Sequence, residues 1–199
     1  MYPLFESVCV KNGEIQHAYW HQKRFEFALG TYFENSKHSS LFKDIMIPDK
    51  YRTGLVKMKV LYNAYDKQVS FEDYNIKSIN TLQLVEDNNI DYQLKSCNRD
   101  HLKSLYLKKE LCDDILIIKN GKLTDTSYCN IVFYDDQSWW TPKSPLLKGT
   151  ARQRLLHNRI IYEREITVKD LDQYSSFKLI NALRDFNEVP ATPVSNIYK

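Results

Sequence analysis

Short apolar runs broken by turn residues recur along the chain, and they set the first expectations. Residues 4–10 read as a strand, Lys11-Asn12-Gly13 as a tight turn, and Glu14-Ile15 as the start of a return strand. Asn and Gly tolerate the positive φ that such hairpins require. The same three letters return at Lys119-Asn120-Gly121, between strands expected at 115–118 and 122–126. Over 18–33 the spacing turns helical through Trp20, Phe27, Ala28 and Tyr32, with His21 and Arg24 one turn apart. Residues 34–50, which include Pro48, read as a loop with a short helix, followed by strands at 55–63 and 69–73 and a sheet continuing over 75–85. Glu86-Asp87-Asn88-Asn89 is the most loop-like stretch and divides the chain into 1–87 and 88–199.

In the second part, Leu102, Leu105 and Leu111 predict an amphipathic helix over 99–111. A strand at 130–134 follows, and the turn Asp135-Asp136 leads to Trp139-Trp140-Thr141-Pro142. A helix opens at 148–152 and runs to His157. A strand at 160–166, a short helix at 168–174 and a buried strand at 177–183 carrying Asn181 complete the series. Strands and helices alternate irregularly, which predicts an α+β (mixed α/β) protein in two lobes.

Composition narrows this picture without changing it. The 199 residues are 43% hydrophobic and 27% charged, as in a globular protein with a sizeable core. Basic (28) and acidic (25) residues nearly balance, so charge gives no argument for nucleic acid. Cys9, Cys97, Cys112 and Cys129 show no metal-ligand spacing and read as free thiols in a reducing cytoplasm. No apolar run is long enough to span a bilayer.

One stretch does not fit a plain hairpin. Residues 124–130, Thr-Asp-Thr-Ser-Tyr-Cys-Asn, carry seven hydrogen-bonding side chains between two apolar strands. Taken singly, its Asp125 reads as a turn cap, Lys95 as a surface lysine, Arg24 as a rim residue, and Thr150 in Gly149-Thr150-Ala151 as a helix N-cap. Taken together, they are the parts needed to hold pyridoxal phosphate. A lysine carries the aldehyde, an acid keeps the pyridine nitrogen protonated, and a helix N-terminus and an arginine hold the phosphate.

The order of these motifs resembles the class IV (fold-type IV) pyridoxal-phosphate family of branched-chain and D-amino acid aminotransferases and 4-amino-4-deoxychorismate lyase. FESVCVKNGEIQHAYWHQKRF resembles the family's F-E-T-I-x-V…D-G…H-x-x-R-L segment, which implies Arg24 as a phosphate ligand. YQLKSCNRDHL resembles the segment with the Schiff-base lysine, which implies Lys95. LTDTSYCNIVF resembles V-T-E-x-x-x-x-N-L-F, with Asp125 in place of the family's glutamate and Asn130 orienting it. LLKGTARQRLL resembles the phosphate turn, implying Gly149, Thr150 and Ala151, and the run Asn181-Ala182-Leu183 before a Pro-Val pair favours the lyase branch. The resemblance implies a two-lobed, D-amino acid aminotransferase-like fold, shortened at the N-terminus, and a homodimer acting on a small molecule. No metal, membrane or nucleic-acid partner is expected. It implies conversion of aminodeoxychorismate to 4-aminobenzoate and pyruvate for folate synthesis. An aminotransferase acting on D- or branched-chain amino acids and a shortened non-catalytic relative stay open beside it.

Overall fold

The computed structural model describes residues 1–33 and 40–199 of the protein, so part of the loop expected at 34–50 lies outside the described residues. The chain packs as two units, 1–76 with 94–98, and 77–93 with 99–199. The division falls after Ile76 and not at Asp87, and a short segment around Lys95 returns to the first unit. The reason is backbone pairing. Phe5 N–H donates to Lys95 O (3.0 Å), Cys97 N–H donates to Pro3 O (2.8 Å), and Ser96 bridges Leu4.

The first unit holds strands β1 (Leu4–Lys11), β2 (Glu14–Ile15), β3 (Leu55–Tyr62) and β4 (Lys67–Asp73) and helix α1 (Ala18–Tyr32). The strands form an antiparallel sheet in the order β2-β1-β3-β4. Asn12 and Gly13 both take positive φ (50° and 80°), as the two-residue turn between β1 and β2 requires. Alternation sends Leu4, Val8 and Val10 of β1 and Val56, Met58, Val60 and Tyr62 of β3 into one core with Phe25, Ala28 and Leu29 of α1. The buried stripe of α1 is His21, Phe25, Ala28 and Leu29. Phe27 and Tyr32, expected on that stripe, lie on the solvent side, because the i, i+4, i+7, i+8 set starting at 21 faces the sheet.

The second unit holds β5 (Leu82–Glu86), α2 (Asp100–Tyr106), β6 (Asp114–Lys119), β7 (Lys122–Thr126), β8 (Asn130–Tyr134), β9 (Trp139–Pro142), α3 (Thr150–His157), β10 (Tyr162–Arg164), β11 (Ser176–Ile180), β12 (Thr192–Pro193) and β13 (Ile197–Tyr198). They form a mixed sheet along the path β10-β9-β8-β7-β6-β5-β13, with β11 joined to β8 and β12. β5 runs parallel to β6 and β13, and β9 parallel to β10. Leu102 and Leu105 of α2 pack on Ile115 and Ile117 of β6. On another side Leu116, Leu123, Ile131, Phe133, Phe177 and Leu179 make the main core.

The fold is mixed α/β as expected, with local differences. Helix α2 ends at Tyr106 in a tighter turn, Leu107–Lys109, and Glu110 takes a positive φ of 51°. That turn throws Leu111 into solvent, so it is no core anchor. The sheet expected from 75 begins only at Leu82, and the strand expected at 160–166 shortens to β10. Strands β12 and β13 form only through distant partners, whereas Trp139–Pro142 pairs both with the preceding β8 and with the later β10. Among the described residues no helix is long and apolar enough to cross a membrane.

Candidate functional site

The polar stretch 124–130 joins β7 to β8, and its side chains do three separate jobs. Thr124 Oγ1 donates to Ile117 O (2.9 Å) and fixes β7 to β6. Thr126 Oγ1 accepts from Cys129 N–H (3.1 Å), closing the loop between the strands, and Arg99 Nη2 donates to Ser127 O (2.6 Å) from outside. Asp125 and Asn130 face each other as the register pair between β7 and β8.

Asp125 is buried with both oxygens engaged. Asn130 Nδ2 donates to Oδ1 (2.8 Å) and Leu147 N–H to Oδ2 (2.9 Å). Burial pushes its carboxyl up to about 6, against the lowering effect of those two donors and of the Arg152 charge. Asn130 Nδ2 also donates to Leu147 O (2.9 Å), so one amide ties the acid to the segment before α3. Gly149 lies against this amide. A Cβ there would overlap Asn130 Oδ1 and stand 3.1 Å from its Cγ.

Gly149 is the residue before α3 at the N-cap position, and it has no side chain to cap the helix. Thr150 is the first helical residue and not the cap, so ordinary capping does not account for it. It and Ala151 are buried at the end where the helix presents backbone N–H groups. Arg152, next along, is 1% exposed and ties α3 to its neighbours through Pro142 O (2.8 Å) and Glu163 Oε1 (2.7 Å). Asn181 Nδ2 contacts Cys129 Sγ (3.2 Å), one residue from Asn130, and Ala182 is half-buried beside it. The second unit therefore brings Asp125, Asn130 and Gly149 into contact, with Thr150, Ala151 and Asn181 on adjoining segments.

Arg24 and Lys95 belong to the first unit. Arg24 makes a two-pronged pair with Glu6, Nε to Oε1 (2.8 Å) and Nη2 to Oε2 (2.5 Å). His21 Nδ1 bonds the same Oε2 (2.7 Å). Burial works to raise the Glu6 carboxyl, yet the Arg24 charge and the bonds from His21 and Arg24 hold it down at about 2. Burial lowers the His21 pKa, outweighing the opposing pull of Glu6. Lys95 Nζ stands 4.7 Å from the centre of the Phe5 ring, next in sequence to Glu6, and its charge is felt at His21.

Comparison with known proteins gives this arrangement its context. The family model for amino-transferase class IV matches residues 3–197. The chain belongs to the class IV aminotransferase family. An uncharacterized protein of Haemophilus influenzae is 40% identical over 185 residues, covering 92% of this chain and 98% of that protein. A crystal structure from Haemophilus somnus, provisionally assigned as a 4-amino-4-deoxychorismate lyase, is 36% identical with a TM-score of 0.86, covering 94% of this chain and 98% of that one. The PLP-bound form of a hypothetical aminotransferase from Mycobacterium tuberculosis shares the fold at 12% identity, with a TM-score of 0.70 over 98% of this chain and 81% of that one.

Class IV enzymes depend on pyridoxal phosphate, and the residues here fit that group. A carboxylate offers about four acceptor positions, so Asp125, held by Asn130 at Oδ1 and by Leu147 N–H at Oδ2, keeps capacity for a pyridinium N–H. A side chain at 149 would displace the Asn130 amide that joins Asp125 to the segment before α3, so glycine there keeps acid and helix start together. Glu6, Leu147, Arg99 and Arg152 were not singled out from sequence. For Glu6 a signal existed. It occupies a core-facing position of β1, between Leu4 and Val8, where every other residue is apolar.

Proposed function

We propose that this class IV enzyme is a lyase converting 4-amino-4-deoxychorismate to 4-aminobenzoate and pyruvate, a step serving folate synthesis. The observation that carries the reading is the likeness to the Haemophilus somnus structure over nearly the full length of both chains. In this reading Lys95 is the lysine that carries the cofactor. Its rivals are engaged elsewhere or lie in solvent: Lys103 is 71% exposed and pairs with Asp100, Lys108 is exposed, and Lys109 donates to Cys112 O. Arg24 and the backbone of Gly149, Thr150 and Ala151 take the phosphate, with Asn181 and Ala182 supporting them. Asp125, oriented by Asn130, holds a proton on the pyridine nitrogen.

When bound, the cofactor withdraws electrons from the carbon bearing the substrate amine. The Lys95 amine takes the proton from that carbon. The C–O bond to the enolpyruvyl group breaks, the ring becomes aromatic, and the departing group gains a proton to leave as pyruvate. Nothing is oxidised or reduced overall. A homodimer is part of the same reading.

Borohydride reduction of the protein mixed with pyridoxal phosphate, followed by peptide mapping, is expected to label Lys95. A label on another lysine overturns that assignment. Reconstituted protein is expected to release 4-aminobenzoate and pyruvate in equal amounts, with no transamination of D- or branched-chain amino acids. Asp125→Asn is expected to slow the reaction about a hundred-fold, roughly 3 kcal/mol in the barrier. Transamination without lyase product replaces the lyase reading, and no turnover of any substrate removes the catalytic one.

A further inference from the structure

We infer that Glu6 and His21 are positioning residues, a buried carboxylate–imidazole pair that holds the Arg24 guanidinium in one orientation for a phosphate monoester. The inference rests on the reading of Arg24 as a phosphate ligand. Glu6 is 0%, His21 1% and Arg24 12% exposed, and all three lie within the first unit.

Stability alone is a poor reason for this cluster. Removing an ionised carboxylate from water costs several kcal/mol, and an apolar residue at the same place is often as stable or more so. Every neighbour of Glu6 on its face of β1 is apolar. What the cluster supplies is geometry. The carboxylate grips one edge of the planar guanidinium through Nε and Nη2, which stops rotation about the last side-chain torsion. The imidazole fixes the carboxylate in turn through Oε2. His21 and Arg24 stand one turn apart on α1, while Glu6 projects from β1, so helix and sheet both contribute to the grip.

Charge leads to the same conclusion. Burial lowers the His21 pKa and so favours the uncharged imidazole, and Glu6 offsets Arg24 at any distance beyond the pair. Arg24 therefore offers an anion directed hydrogen bonds more than net charge. Directed bonds are lost when the donor can swing, so the two residues behind Arg24 govern its usefulness.

The test compares dissociation constants for pyridoxal phosphate and for pyridoxal, which lacks the phosphate, with inorganic phosphate as competitor. The readout is the preference for the phosphorylated form. Arg24→Ala is expected to lower that preference about ten-fold or more. Glu6→Gln is expected to lower it by a similar factor, and to add nothing in the Arg24→Ala background. His21→Gln, which keeps an N–H donor, is expected to retain most of the preference that His21→Leu loses, so the idea stays testable if Glu6→Gln does not fold. An unchanged preference in Arg24→Ala refutes the phosphate role of Arg24 itself. A normal Arg24→Ala loss, with preference unchanged or raised in Glu6→Gln or equal in the two His21 variants, refutes the positioning role alone.

Discussion

Replacing Gly149 with alanine tests how tightly the acid and the α3 turn are joined. The backbone at 149 (φ −62°, ψ 144°) suits alanine, and the smaller freedom of the unfolded chain would favour the variant by about 0.4–1 kcal/mol. The obstacle is the added methyl, which would overlap Asn130 Oδ1. Asn130 can make room only by leaving its bonds to Asp125 (2.8 Å) and Leu147 O (2.9 Å). A bond to a charged group contributes about 1.5–3 kcal/mol and a neutral one about 1 kcal/mol, so the net cost is about 3 kcal/mol. Urea unfolding of Gly149→Ala, Asn130→Ala and the double variant measures it as a cycle. Gly149→Ala is expected to be costly in the parent and nearly free once Asn130 is gone, a coupling of about 3 kcal/mol. A Gly149→Ala protein within about 1 kcal/mol of the parent, or one paying the same cost in both backgrounds, would refute the account.

Tyr62→Phe is expected to leave the thermal midpoint unchanged or raise it, because the Tyr62 hydroxyl is buried with no hydrogen-bond partner among the described residues; a fall of several degrees would contradict this. Arg152→Ala is expected to cost about 1–3 kcal/mol in unfolding free energy by leaving the buried Thr141 hydroxyl and Pro142 carbonyl without their donor, whereas Arg159→Ala, on an exposed turn, should cost little. Glu6 has a folded pKa of about 2 against 4.5 unfolded, so its stabilisation is full above 4.5 and is lost as pH falls toward 2, on the order of 3 kcal/mol in all. Asp125 works in the opposite sense, since its raised pKa of about 6 makes the fold gain stability as pH falls from 6 toward 3.8. Asp125→Asn should therefore steepen the acid loss seen in unfolding titrations, and Glu6→Gln should flatten it.

Much of the local structure was legible in the chain. The two KNG turns, with Asn12, Gly13, Asn120 and Gly121 all at positive φ, follow from residue chemistry alone, and so do strands β7 and β8 at their exact bounds. The family was legible because Lys95, Asp125, Asn130 and Gly149 occur in a characteristic order, and order survives in a linear sequence. Tertiary structure decided what those side chains touch. The Glu6 partner of Arg24 lies 18 positions away on another element, and one of the two partners of Asp125 is a backbone N–H 22 positions on. Strand β13 exists only because β5 offers it an edge, and the chain division shifted because residues 94–98 pair back to β1. Turn chemistry is set within three or four residues, whereas a hydrogen bond between distant segments depends on how the whole chain packs, and no local pattern encodes that.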